Sequence, residues 1–173
     1  IRACVLKLAD RVTGALTTDC LVDSNSQLRF LHDQGILHKG KGKVLGAGSI
    51  SGVDTHKFKF NQDKRRSIRQ QLAIPDDALC LVFIGRLSEA KGIYELIEAL
   101  ERIANPAIYL IVVGPDEENV VGRVADDFPG LLGNIKFVGY SSTPEHFLSA
   151  GDVLTLPSHR EGFGSVIIEA ASV

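Results

Sequence analysis

Residues 78–103 read ALCLVFIGRLSEAKGIYELIEALERI. The first eight form an unbroken apolar run of strand length, with no polar alternation, ending at Gly85. From Gly92 to Ile103 the pattern changes period: Leu96, Ile97, Leu100 and Ile103 recur at helical spacing and are expected to face a core. A strand that is apolar on both faces and is followed by a helix belongs to a parallel sheet covered on both sides. The rhythm then repeats. AIYLIVVG (107–114) precedes a weaker Val-containing helix around Val120–Phe128, NIKFVGY (134–140) precedes TPEHFLSAG, and DVLTLP (152–157) precedes a helix starting near Ser165. The helical segment DKRRSIRQQLAI, closed by Pro75, introduces the series. Four strand–helix units in succession predict an α/β fold, a Rossmann-like parallel sheet with helices on both faces.

The chain has 173 residues, 45% of them hydrophobic and 23% charged, as an ordinary globular protein does. A formal net charge of -2 leaves no basic footprint for nucleic acid. No apolar run approaches the roughly 20 residues of a membrane-spanning helix, so membrane contact is expected to be peripheral at most. Cys4, Cys20 and Cys80 are odd in number and far apart. They fit neither a disulfide framework nor a zinc spacing, and are expected to be buried or partly buried thiols in a reducing compartment.

Upstream, residues 1–19 carry apolar positions at near-helical spacing, and CLVDS (20–24) reads as a short buried strand. NSQLRFLHDQGI is a helix, VLGAG (44–48) a strand, and GSISGVDTHKF a glycine-studded loop. The chain opens on Ile1, contains no methionine, and closes on VIIEAASV, a helical pattern without a stop signal. It is therefore expected to be a piece of something longer.

In doubly wound sheets ligands bind beyond the carboxyl ends of the strands. Here those ends are Gly85-Arg86, Gly114-Pro115, Gly139-Tyr140 and the loop 158–164. Arg86 leaves the first strand and Lys91 stands just before the next helix. Two cations near a helix N-terminus suit a diphosphate, although both could equally be solvated surface charges. In PSHREGFGSVIIEA (157–170), Gly162 and Gly164 let the backbone approach a ligand, and the following helix directs its positive end to the same place. Glu161 and Glu169, eight positions apart, could accept paired hydrogen bonds from sugar or ribose hydroxyls. The plainer alternative is a turn cap and an exposed helical residue.

HREGFGSVIIEA resembles the E-x7-E motif of retaining glycosyltransferases with the GT-B fold, particularly glycosyltransferase family 4. VFIGRLSEAKGIYELIEAL is similar to the family's G-R-x4-K-G segment. IYLIVVGPDEE, IKFVGY and AGDVLTLPS are similar to its successive strands, GSISGVDTHKF to its interdomain linker, and LTTDCLVDSNSQLRFLHDQGI to the end of its N-terminal domain. Together, in order, these segments cover nearly the whole chain. GSISGVD and VVGPDEE more weakly resemble bacterial enzymes of surface-polysaccharide synthesis.

The resemblance implies the C-terminal half of a GT-B fold, incomplete at both ends. Residues 1–45 would be a remnant of the acceptor domain, 46–61 the interdomain linker and 62–173 the nucleotide-sugar-binding domain. It implies that Arg86 and Lys91 bind the donor's diphosphate and, with Glu161 on the donor-sugar hydroxyls, form the catalytic set. Gly85, Gly162, Phe163 and Gly164 would approach the donor, Tyr140 would lie by the base, and Glu169 would hold the ribose. No metal and no cofactor are implied. The donor is expected to carry UDP rather than GDP, and the acceptor to be lipid-linked or a saccharide. The family likeness implies a cytoplasmic place, at most touching the inner face of the membrane. With most of the acceptor domain and a final strand missing, this chain alone is expected to be nearly or fully inactive. A nucleotide-sugar epimerase of the same fold, or a non-catalytic flavodoxin-like binding module, are the alternatives. Asp126-Asp127 reads as a solvated helical face, HKGKGK as a solvated turn, and His159 as a loop histidine rather than a ligand.

Overall fold

The computed structural model describes residues 2–48, 51–159 and 161–173. Ile1, Ser49, Ile50 and Arg160 lie outside the described residues; these include two residues near the start of the glycine-studded loop and the residue before Glu161. The chain forms two compact units, residues 1–52 with 161–165, and residues 53–160 with 166–173. Among the described residues no helix is long and apolar enough to cross a membrane.

The larger unit is built on a four-stranded sheet: β3 (Leu79–Ile84), β4 (Ile108–Val113), β5 (Ile135–Gly139) and β6 (Val153–Leu154), in spatial order β5-β4-β3-β6. β1 and β2 belong to the smaller unit and are described below. Every pairing in the sheet is parallel, with Leu79 opposite Ile108 and Ile84 opposite Val113 along the central pair. The helices α3 (Gln62–Gln71), α4 (Ile93–Ile103), α5 (Val120–Asp127), α6 (Pro144–Ala150) and α7 (Ser165–Ser172) complete the strand–helix alternation, the last beginning with Ser165 of the smaller unit. The chain steps outward from β3 to β5 and then returns to the other side of β3. That places the switch of strand order between β3 and β6, where such sheets open a crevice.

The uninterrupted apolar strands serve two cores. Phe83, Leu110 and Val112 pack with Ile93, Ile97, Val120 and Val124 on one face. Cys80, Val82, Ile111 and Val113 pack with Ile74, Phe147 and Leu148 on the other. Helix α4 buries Ile93, Leu96, Ile97 and Leu100, each worth about 1.5–3 kcal/mol relative to exposure. Ile103, expected on that stripe, is instead 55% exposed. It is the last residue of the helix, and the chain turns away at Ala104 through a left-handed conformation, φ 49°.

Helix α3 starts on Asn61, whose side chain accepts from the N–H groups of Asp63 and Lys64. It carries an inward arginine. Arg69 is 1% exposed and donates to the carbonyls of Ala150, Pro75, Asp76 and Ala78 and to Asp152. Asp152 also accepts from Arg65 and from the Cys80 N–H. The short strand β6 is thus fixed by side-chain bonds to its flank as well as by its ladder. Its brevity departs from the six-residue strand expected at 152–157.

The smaller unit contains α1 (Arg2–Leu16), β1 (Cys20–Leu21), α2 (Asn25–Asp33) and β2 (Gly42–Lys43), with β1 and β2 paired in parallel. Both strands differ from expectation. The first stops early because Ser24 turns to cap α2, accepting from the Gln27 N–H. Leu21 is 47% exposed, while Val22 next to it is buried. The second lies upstream of Val44–Gly48, because Gly46 and Gly48 adopt φ 53° and 125° and end the extended run. Lys41 secures the C-terminal end of α1, its ammonium donating to the carbonyls of Gly14, Ala15 and Thr17. Of the three thiols expected to be buried or partly so, Cys80 is buried and Cys20 intermediate, but Cys4 is exposed. It sits on a helix whose Val5, Leu6, Leu8 and Val12 are themselves more than half exposed.

Candidate functional site

The ends of β3, β4 and β5 are stitched together by three glycines. Gly85 N–H donates to the Val113 carbonyl at 3.0 Å, and Gly114 N–H donates to the Gly139 carbonyl at 2.8 Å. Gly114 has φ 148°, and a Cβ there would run into the Gly85 carbonyl oxygen. Only glycine lets the strand exits come so close. Beyond them opens a cavity of about 350 Å³, lined by Gly85, Arg86, Gly114, Pro115, Tyr140 and Ser141 among others. The side chain of Tyr140 is strongly exposed.

A larger cavity of about 460 Å³ lies at the opposite, amino-terminal end of the strands, against Leu100, Ile103, Phe128, Leu131 and Ile135. Its lining includes Glu101 and Asp127 but no lysine, arginine or histidine. An anionic ligand would meet only like charge there, so the smaller cavity is the better candidate for a phosphorylated ligand.

Arg86 follows Gly85 directly, and its Nη1 donates to Glu117 Oε2 at 3.1 Å. Lys91 ends a 3-10 turn, Glu89–Lys91, and Gly92 then turns into α4 with φ 69°. A Cβ at Gly92 would strike the carbonyl of Pro157. The segment after β6 therefore rests on this turn, and His159 N–H donates to the Ala90 carbonyl at 3.2 Å. The His159 ring stands 2.6 Å from Glu95 Oε1. Glu95's carboxyl is held below its ordinary range by its own backbone N–H; burial opposes this, and His159 adds to the lowering.

Glu169 lies just over a turn into α7, and Ser172 of the same helix donates to the Phe58 carbonyl at 2.6 Å. The neighbouring Lys57 stands 3.7 Å from Glu145 and donates to the Ser142 carbonyl. Glu145 is nearly buried at the start of α6, and its Oε2 has no hydrogen-bond partner among the described residues. Burial pushes the Glu169 carboxyl above its ordinary range; Lys57 opposes the shift and Glu145 adds to it.

Of the residues singled out in the sequence, Gly85, Arg86 and Tyr140 share the cavity. Lys91 is placed at the entry to α4, and Glu169 in a charged group with Lys57 and Glu145. Glu161, Gly162, Phe163 and Gly164 fall in the smaller unit. There Gly162 lies beside Asp23, and the Phe163 ring lies so near Gly48 that a Cβ on that glycine would come within 2.9 Å of it. Glu117, Lys57 and Glu145 were not singled out, because a pairing of distant side chains has no signature in sequence spacing. Asp116 had a signal, an acid at a strand exit ahead of a helix. Although burial opposes it, Asp116 accepts from the N–H groups of Glu118, Val120 and Val121, and its carboxyl is lowered. Among the described residues no three His, Cys, Asp or Glu side chains group as a metal site.

The family model for glycosyl transferases group 1 matches residues 64–173. The capsular polysaccharide biosynthesis glycosyltransferase CapM of Staphylococcus aureus is 30% identical over 172 residues, 98% of this chain and 45% of that protein. The lipopolysaccharide core biosynthesis glycosyltransferase LpsE of Rhizobium meliloti is 37% identical over 103 residues, 59% of this chain and 29% of that protein. The crystal structure of Anabaena HepE in complex with UDP-glucose superposes with a TM-score of 0.84 at 25% identity, covering 96% of this chain and 46% of that one. The chain spans less than half the length of each of these relatives.

Proposed function

The chain belongs to the group 1 glycosyltransferases, and from that premise we propose that it is the donor-binding part of a retaining enzyme. The enzyme moves a sugar from a UDP-sugar to a lipid-linked or saccharide acceptor in the synthesis of a surface polysaccharide. The observation that carries this reading is the meeting of Gly85, Arg86 and Tyr140 around one cavity at the carboxyl ends of a parallel sheet.

The chemistry follows from charge. As the sugar departs, negative charge builds on the nucleoside diphosphate, and cations held in advance at that point lower the barrier. Arg86 and Lys91 are assigned that work without a metal. Tyr140 lies by the base, Glu169 by the ribose, and Gly85 lets the phosphates approach the main chain. Glu161, Gly162, Phe163 and Gly164 are assigned to the donor sugar and phosphate on their match to the E-x7-E motif. UDP is preferred over GDP because the Anabaena relative was crystallised with UDP-glucose. We place the reaction in the cytoplasm, at the inner face of the membrane, where a lipid-linked acceptor would present its headgroup. Because the chain spans under half of its relatives, we propose that on its own it binds nucleotide with little or no turnover.

Isothermal calorimetry of the folded chain with UDP and GDP tests this. UDP should bind in the micromolar-to-millimolar range, and Arg86→Ala and Lys91→Ala should each weaken that binding markedly. A folded sample that takes up neither nucleotide would sink the reading.

A further inference from the structure

The loops that follow β3 and β4 are zipped to each other by their backbones. Leu87 N–H donates to the Pro115 carbonyl at 2.9 Å, Glu117 N–H returns to the Leu87 carbonyl at 3.4 Å, and Leu87 bridges Asp116. Leu87 is 2% exposed and Asp116 is tied down by three N–H groups, so the base of the zipper is firm. Its register brings two consecutive glutamates over the Arg86 loop. Glu117 Oε2 takes the Arg86 guanidinium at 3.1 Å, and Glu118 Oε2 takes the Glu89 N–H at 3.0 Å.

Each of these donors is suited to an anion, and each is engaged by a carboxylate. We propose that Glu117 and Glu118 are a built-in stand-in for the donor's diphosphate. They hold Arg86 and the Glu89 N–H in the ligand-free protein, give them up when a diphosphate enters, and reclaim them when the product leaves. This rests on the assignment of Arg86 to the diphosphate.

Two features make the exchange feasible. The pair is solvent-facing, with 60% of the Arg86 side chain and 44% of the Glu117 side chain exposed, so releasing it costs little. The fixed backbone beneath means that only side chains must swing. The carboxylates keep the cation in place, and they compete with UDP for it. The device therefore trades affinity for faster release of a product that would otherwise linger on its cations.

The test is calorimetric titration of UDP and of uridine, at low ionic strength, into the wild-type chain and its Glu117→Gln, Glu118→Gln, doubly substituted and Arg86→Ala forms. Glutamine keeps the shape and the acceptor oxygen but removes the charge, and a thermal melt checks each variant's fold. Each single substitution should tighten UDP by roughly two- to fivefold, the scale of an exposed ion pair. The double substitution should tighten it further, and uridine should not change. In an Arg86→Ala background the gain from Glu117→Gln should vanish. UDP affinity that stays the same or weakens in the double variant overturns the stand-in, as does an equal gain for uridine, which would mean a loosened loop rather than a removed charge. If the wild type fails to bind UDP, or Arg86→Ala binds it equally well, the donor-site reading itself fails and takes the stand-in with it.

Discussion

Arg69 and Asp152, 83 positions apart, meet at 2.8 Å with the guanidinium wholly withdrawn from solvent. A cation buried this deeply persists because its donors are occupied by four carbonyls and one carboxylate. Removing the carboxylate leaves an uncompensated charge. Asp152→Ala should lower unfolding stability by about 3–5 kcal/mol in urea titrations, and Asp152→Asn by less. The pH dependence has a definite sign. Burial alone would raise the Asp152 carboxyl, but the Cys80 N–H and the two guanidiniums outweigh it and hold it below its ordinary value of 3.8. The contribution is therefore present above that value and is lost as pH falls through the lowered one. An Asp152→Asn chain should lack this acid-side loss. A wild type and variant with parallel acid profiles would contradict the assignment.

Glu169 has the opposite sign. Its carboxyl is raised by burial in the folded chain, so the folded state binds its proton more tightly than the unfolded state does. The stability it contributes is full below the ordinary value of 4.5 and is lost as pH rises through the raised one. Glu169→Gln should therefore melt at the same temperature as the wild type, or slightly higher, at neutral pH, with the gap closing in acid. On the proposed role of Glu169 at the ribose, its UDP affinity should nonetheless fall, because the diol would lose an ionised acceptor. A marked drop in Tm at pH 7 would show instead that the carboxylate is structural.

The parts of the fold legible in the sequence are those where one physical pattern runs long enough to stand out. Leu79–Ile84 and Ile108–Val113 are six-residue apolar strands that supply side chains to both cores, and among the described residues no other strand is as long. Cys20–Leu21 and Gly42–Lys43 are two residues each, too short for a period, and their ends are set by a cap and by positive-φ glycines. At the candidate site, the strand-end rule was enough to anticipate that Gly85, Arg86 and Tyr140 line one cavity. It could not find Glu117 or Lys57, whose importance lies in a partner 31 positions away in one case and on helix α6 in the other. Ile103 shows the limit of periodicity itself: the stripe continues in sequence after the packing has ended.

The cysteines should differ in reactivity by more than exposure alone would cause. Burial pushes the Cys80 thiol up to about 11, with Arg69 and Arg65 opposing and Asp152 adding. Neither access nor thiolate is then available to a reagent near neutral pH. A colorimetric thiol assay on the native chain should modify Cys4 first and Cys20 more slowly. Cys80 should react only after denaturant is added, at the rate of global unfolding. Prompt labelling of Cys80 in native buffer would mean that β3 opens locally.

Gly114 allows the sharpest test of how the sheet builds its cavity. The residue combines a backbone conformation rarely open to side chains with an approach to the Gly85 carbonyl that leaves no space for a methyl group. Gly114→Ala must therefore either strain its own backbone, at about 1–3 kcal/mol, or push the β3 exit away. The second route moves Arg86, which is attached to Gly85, away from the rim it shares with Tyr140. The variant should lose stability in urea titrations and, where it remains folded, lose UDP binding out of proportion to that loss. Gly133, with nothing near its Cβ direction, is the control, and Gly133→Ala should leave UDP affinity untouched. If the two variants behaved alike, the packing of the glycine exits would not be what shapes the cavity.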